Sequence, residues 1–161
     1  MIYHLSRRRL IIGAAQATVA LTWSGSSGAA VTLPKMTVTR DPYCGCCGSW
    51  VEHVRGAGFP VEVVEIADVM PLKARLGVPA ALTSCHTAEV DGYVIEGHVP
   101  AEAIRRLLVE RPRATGVAVA GMPVGSPGME VPDQPSQAYE VILFSNDAPR
   151  VFARYRGLRQ I

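Results

Sequence analysis

Three cysteines fall within four residues, in Tyr43-Cys44-Gly45-Cys46-Cys47-Gly48, between two stretches of different periodicity. Upstream, Lys35-Met36-Thr37-Val38-Thr39-Arg40 alternates apolar with polar side chains, the period of a strand, and Asp41-Pro42-Tyr43 breaks it. Downstream, Trp50, Val51, Val54 and Ala57 recur at helical spacing, with Glu52 and Arg55 on the outer side and Gly56 and Gly58 as the stop. The thiols are thereby confined to the junction of a strand with a helix N-terminus. At that place the helix dipole and free backbone N–H groups stabilise thiolates, which favours redox chemistry or metal ligation.

The rest of the chain extends this unit. Val61 to Ile66 is β-branched, alternates with glutamates and reads as a second strand. Asp68 to Leu76 predicts a short helix with Pro71 near its first turn, ended by Gly77-Val78-Pro79. Thr87 to Val90 and Tyr93 to Glu96 flank Asp91-Gly92, the dipeptide that a two-residue type I′ hairpin prefers. Pro100 to Glu110 predicts a helix burying Ala103, Ile104, Leu107 and Leu108. Gly116 to Pro135 is rich in Gly and Pro and reads as a structured loop, after which Tyr139 to Phe144 and Arg150 to Tyr155 form a terminal strand pair. The order β-α-β-α-β-β-α predicts an α/β fold of the thioredoxin-like type. It consists of a central mixed sheet with flanking helices, followed by a Gly/Pro/Met loop and a C-terminal strand pair.

The first 30 residues stand apart. Ser6-Arg7-Arg8-Arg9-Leu10-Ile11 places paired arginines ahead of a moderately apolar stretch that ends near Trp23, and Ser26-Ser27-Gly28-Ala29-Ala30 supplies the small residues a signal peptidase needs. Residues 1–30 are therefore expected to be a twin-arginine-type signal peptide, and residues 31–161 one exported domain in the periplasm. The apolar run falls short of the roughly 20 residues that a membrane-spanning helix needs, so no stable span is expected. The chain's formal charge of +2 belongs to this leader, since removing its three arginines leaves 13 basic residues against 14 acidic ones. A nearly neutral domain releases no counterions on a phosphate backbone, which argues against a nucleic-acid partner.

Cys44 and Cys47 have the C-x-x-C spacing of dithiol redox sites, but Cys46 departs from that pattern and would compete for the mixed disulfide. A soft-metal site gains from the third thiol, because thiolates select Cu(I), zinc or iron–sulfur centres and can bridge two ions. The fourth cysteine lies in Ser84-Cys85-His86-Thr87, directly before the hairpin. In a thioredoxin-like domain that segment packs against the cysteine loop, usually with a cis-proline, and would bring Cys85 and His86 to the other thiols. Two competing readings are disulfides and a structural zinc site. Vicinal Cys46-Cys47 cannot pair without strain and Cys44-Cys46 closes a very tight ring, whereas Cys44–Cys47 or Cys47–Cys85 is feasible. Zinc sites usually use two or more knuckle-like pairs, and one compact cluster is present here.

The segments Cys44-Gly45-Cys46-Cys47-Gly48, Ser84-Cys85-His86-Thr87, Asp91-Gly92-Tyr93-Val94-Ile95-Glu96-Gly97-His98-Val99-Pro100, Gly121-Met122-Pro123 and Gly128-Met129-Glu130 occur in the order seen in one family. The chain resembles the CopG family of periplasmic copper-resistance proteins, long catalogued as a domain of unknown function, from about Lys35 to Tyr155. The resemblance implies a thioredoxin-like fold and copper as the bound metal. It implies Cys44, Cys46, Cys47 and Cys85 as ligands, a role in copper handling, and copper redox chemistry as an accompanying activity. Expected partners are copper ions and other periplasmic copper-handling proteins. The alternative function is a thiol–disulfide oxidoreductase using Cys44 and Cys47, with Cys85 as a resolving thiol.

Other side chains divide between ligand and ordinary roles. His86 is a further ligand or a hydrogen-bond donor to a thiolate. Met122 and Met129 offer soft thioethers from the Gly/Pro loop, though methionine also fills apolar gaps. His98, at the start of a helix, reads as a turn residue in preference to a second copper site, His53 as a solvated surface residue, and Met36 and Met70 as core. Tyr43 and Trp50 flank the cluster and are expected to shield it.

Overall fold

A computed structural model describes residues 32–161; the expected signal peptide lies outside the described residues. The strand that precedes the thiols is β1, Met36–Arg40, and the helix that follows them is α1, Gly45–Gly56. The chain returns through β2, Val61–Glu65, parallel to β1. Next come the short helix α2, Met70–Arg75, and a 3₁₀ turn at Ala80–Leu82. The hairpin is β3, His86–Val90, and β4, Tyr93–Glu96. Asp91 and Gly92 between them both take positive φ, as a type I′ turn requires. Helix α3, Ala101–Glu110, crosses to β5, Gly116–Ala118, which lies parallel to β4. Strands β6, Ala138–Phe144, β7, Arg150–Arg156, and β8, Arg159–Gln160, close the sheet as an antiparallel meander.

One eight-stranded mixed sheet results, in the order β2-β1-β3-β4-β5-β6-β7-β8. The expected α/β class is therefore observed. Two short strands lie outside the expectation. β5 occupies the start of the stretch read as loop, and its three residues are too few to show a period of two. It nevertheless joins the hairpin half of the sheet to the meander half. β8 is a two-residue return at the C-terminus.

The two sheet faces are covered differently. Met36 and Val38 of β1, Ala88 and Val90 of β3 and Ile95 of β4 line up on one face in register. They pack under Trp50, Val51 and Val54 of α1 and Ala103, Ile104 and Leu107 of α3 to form the main core. Each of the larger side chains there contributes roughly 1.5–3 kcal/mol through burial. The opposite face carries a smaller cluster, Val78, Val94, Ala118 and Phe144, under the α2 end of the chain. Met36 is core as expected, but Met70 is more than half exposed at the start of α2, where the helix faces water. No described helix is long and apolar enough to cross a membrane.

Candidate metal centre

Four residues carry the chain from β1 into α1, and their backbone is tied from both ends. The Tyr43 N–H donates to Asp41 Oδ1 at 2.7 Å and the Cys44 N–H to the Asp41 carbonyl at 3.1 Å. The Arg40 guanidinium donates to the Cys44 carbonyl at 3.0 Å while pairing with Glu65 on β2 at 2.5 Å. Cys44 is the N-cap of α1, with no side-chain cap and no acidic residue in the first turn. The positive helix end is thus left to the sulfurs of Cys44, Cys46 and Cys47.

The sequence expectation that Cys85 converges on these thiols holds in the geometry. Cys44, Cys46, Cys47 and Cys85 present sulfurs that all lie within 4.8 Å of one another. Cys44 and Cys47 are joined as a disulfide, one of the two pairings left open by the spacing, while Cys46 and Cys85 are free. The Cys46 sulfur sits between the pair and the distal thiol, 3.5 Å from Cys44 and 3.8 Å from Cys85. A full set of four thiolates exists only after the disulfide is reduced.

Cys85 also faces two histidines, and all three offer ligand atoms within 4.8 Å. His98 Nε2 lies 3.1 Å from the Cys85 sulfur, and its Nδ1 lies 2.8 Å from the Pro127 carbonyl. A carbonyl only accepts, so Nδ1 carries the ring proton and Nε2 presents its lone pair to the sulfur. Burial lowers the His98 pKa below the ordinary value, and burial together with Cys46 pushes the Cys85 thiol up to about 11. Both shifts favour the same neutral pair, a thiol donating to an imidazole. His86 Nδ1 is 3.5 Å from the same sulfur. Its Nε2 is buried with no hydrogen-bond partner among the described residues, and burial holds its pKa well below the usual imidazole range.

His98 does lie in the bend after β4, as the turn reading expects, but it is fully buried and points its free nitrogen at a cysteine. The hairpin produces this by bringing residues either side of Asp91-Gly92 back together at its open end. His53 is likewise not a solvated residue. It is half-buried between helices, and its Nε2 accepts the Ala101 N–H at 3.1 Å. Of the two aromatic residues expected to shield the thiols, Trp50 is fully buried, its ring centroid 4.4 Å from that of His86 and its N–H donating to the Val99 carbonyl. Tyr43 is 96% exposed and shields nothing.

The Gly/Pro loop is seated directly on the thiol-bearing helix. A Cβ at Gly128, where φ is +81°, would meet the Trp50 nitrogen at 2.7 Å and the Cys46 carbonyl at 2.8 Å. Only glycine permits that approach. Met129 beside it is half-buried, whereas Met122 is more than half exposed.

The donor set is soft: sulfurs, with one imidazole nitrogen free to coordinate at His98 and a second at His86. Such a set suits a soft, thiophilic ion and disfavours hard cations that need oxygen. It can equally hold a disulfide, as it does between Cys44 and Cys47.

A protein-family model described as a protein of unknown function, DUF411, matches residues 82–129, the span from the 3₁₀ turn to the Gly/Pro loop. Two solved structures match nearly the whole described chain. One, titled copper resistance protein CopG form 2, is 45% identical with a TM-score of 0.72, over 76% of this chain and 98% of that one. The other, titled form 1, has the same identity and TM-score over 78% of this chain and 99% of that one. No curated protein matches the chain.

Proposed function

Because the chain belongs to the family of the copper resistance protein CopG, we propose that it is a copper-binding protein of copper resistance that holds Cu(I) through Cys44, Cys46, Cys47 and Cys85. One observation carries the reading. Sulfurs from two distant segments meet within 4.8 Å, in a pocket whose other free donors are imidazole nitrogens. Sulfurs this close can bridge ions, so the bound form is a thiolate-bridged cluster of more than one Cu(I). The neutral imidazoles of His98 and His86 serve as auxiliary donors at Cys85. Met122 and Met129 of the Gly/Pro loop are the auxiliary thioether candidates in this reading.

The resting disulfide defines the first step. A dithiol reductant attacks the Cys44–Cys47 bond through a mixed disulfide and delivers two electrons and two protons, leaving two thiols. Each sulfur that then binds Cu(I) gives up its proton, and the helix end that faces Cys44, Cys46 and Cys47 stabilises the negative charge. The strand order β2-β1-β3-β4, with α1 and α3 on one face, supports placing the domain of residues 31–161 in the thioredoxin-like class. Residues 1–30 act as a twin-arginine-type signal, and the domain from residue 31 works in the periplasm.

The test is a Cu(I) titration of the reduced protein against a competing chelator, with elemental analysis of the isolated complex. The expected result is more than one copper per chain, with loss of copper on changing Cys46 or Cys85. Failure to bind copper above the chelator would overturn the reading.

The observed Cys44–Cys47 disulfide favours one second reading, a thiol–disulfide oxidoreductase that passes its disulfide to a substrate dithiol and becomes the dithiol itself. Cys46→Ser separates the two. The oxidoreductase retains its exchanging pair, whereas the copper site loses the sulfur that lies between Cys44 and Cys85.

A further inference from the structure

On the face of the sheet opposite the cysteine helix, α2 inserts a lysine into the interior. Lys73 is 1% exposed, Glu96 on β4 and Thr87 on β3 are equally buried, and the three form a closed network. Lys73 Nζ donates to Glu96 Oε1 at 2.7 Å and to Thr87 Oγ1 at 2.8 Å. The Thr87 hydroxyl donates to Glu96 Oε2 at 2.7 Å, and the Ser84 backbone N–H donates to Glu96 Oε1 at 2.6 Å. Ser84 immediately precedes Cys85 and Thr87 follows His86, so one carboxylate holds the chain on both sides of the Cys85-His86 dipeptide. The same Ser84 is anchored on its outer side, where its hydroxyl donates to the Gly121 carbonyl at 2.6 Å.

Stability alone is a poor explanation for this arrangement. A buried ion pair must overcome the desolvation of both charges, and apolar replacements of similar volume are often neutral or stabilising. The pair also sits beside a small apolar cluster that could have been continued through it. What the charges provide is direction: four short hydrogen bonds fix where Ser84 and Thr87 lie, and therefore where the intervening sulfur and ring point.

We propose that Glu96, with Lys73 as its counter-ion and Thr87 as its bridge, is a positioning residue that sets the Cys85 sulfur against Cys46 and His98. The inference rests on the copper reading for its purpose, but its geometry does not depend on any metal. In Lys73→Met/Glu96→Gln the amide still accepts the Ser84 N–H and donates to Thr87, so the bracket survives without charge. In Lys73→Met/Glu96→Val it does not. Thr87→Val removes both hydrogen bonds of the hydroxyl, the one from Lys73 and the one to Glu96, with little change of shape.

The experiment is residue-resolved alkylation of the purified protein by iodoacetamide, read by mass spectrometry, with Cys46 as the internal control and thermal melts to confirm folding. Loss of the bracket in the Glu96→Val double variant should speed Cys85 alkylation by about tenfold with a much smaller change at Cys46, which loses only its contact with Cys85, and Thr87→Val by about threefold. The Glu96→Gln double variant should stay within about twofold of the parent protein. An unchanged Cys85 rate in the folded Glu96→Val double variant overturns the proposal, as does a rise at Cys46 in step with Cys85. Should that variant fail to fold, Thr87→Val decides by the same two criteria. The reduced proteins are then loaded with Cu(I). Lower copper content in the Glu96→Val than in the Glu96→Gln double variant supports the positioning role, and equal content overturns its link to the site. A parent protein that binds no copper defeats the copper reading while leaving the alkylation result standing.

Discussion

Cys85 is the residue on which the site turns, because its sulfur faces Cys46, His86 and His98 together. Its thiol is pushed up to about 11, first by burial and then by Cys46, so at working pH it carries a proton that an incoming Cu(I) must displace. Affinity should therefore rise with pH. A chelator-competition titration between about pH 6 and 8 should show tighter binding by about tenfold per unit for each thiol proton released. A flat profile would mean that the thiols are already ionised in the reduced protein. At the same scale, Cys46→Ser should lower copper content or affinity while leaving exchange through Cys44 and Cys47 intact, which scanning for copper and for dithiol cycling in one preparation checks. The three clustered thiols were legible in the sequence because they are adjacent. Cys85 was legible only through the element order, and for His98 the sequence offered a metal site and a turn residue without the means to choose the first. Nothing in Gly97-His98-Val99 distinguishes a turn histidine from one buried against a sulfur, since the partner lies across the hairpin.

Helices α1 and α3 meet through a side chain as well as through the core. Pro100 at the start of α3 has no capping side chain, and the orphan N–H of Ala101 is accepted by His53 from α1. His53→Ala should lower stability by about 1 kcal/mol, as loss of a helix N-cap does, and His53→Gln should recover most of it by restoring an acceptor. Urea unfolding with an unchanged slope is the measurement, since a changed slope would signal a different unfolded or native ensemble. This contact shows why elements were easier to read than their surroundings. The period of α1 correctly assigned Trp50, Val51 and Val54 to the core, but helical spacing cannot say that a second helix begins beside His53. Strand β5 escaped for a different reason: Gly116-Val117-Ala118 is buried on both faces, so it lacks the alternation that marks a half-exposed strand. Its place is dictated by partners on β4 and β6, far apart in sequence.

Across the whole molecule, the three histidines of the described residues are kept neutral by their surroundings. Burial is the first cause of a lowered pKa at His53, His86 and His98, and the lowering is greatest at His86. In the unfolded chain each returns to its ordinary value near 6.5. On acidification through that value the unfolded state takes up protons that the folded state refuses, so the balance shifts toward unfolding. The stability contribution of all three is complete above about pH 6.5 and is lost as pH falls below it toward their depressed folded values. Ordinary carboxylates cannot mimic this, because they titrate near pH 4 and act in a lower window. The effect is also concentrated, since His86 and His98 stand at Cys85 and His53 stands at the junction of the two helices that cover the same sheet face. Urea unfolding of the metal-free protein should accordingly give lower stability at about pH 5.5 than at about pH 7.5, with a shallower dependence in His53→Gln. Equal stability at the two values would show that these imidazoles titrate in the folded protein as they do in the unfolded chain, and would contradict the burial that lowers them.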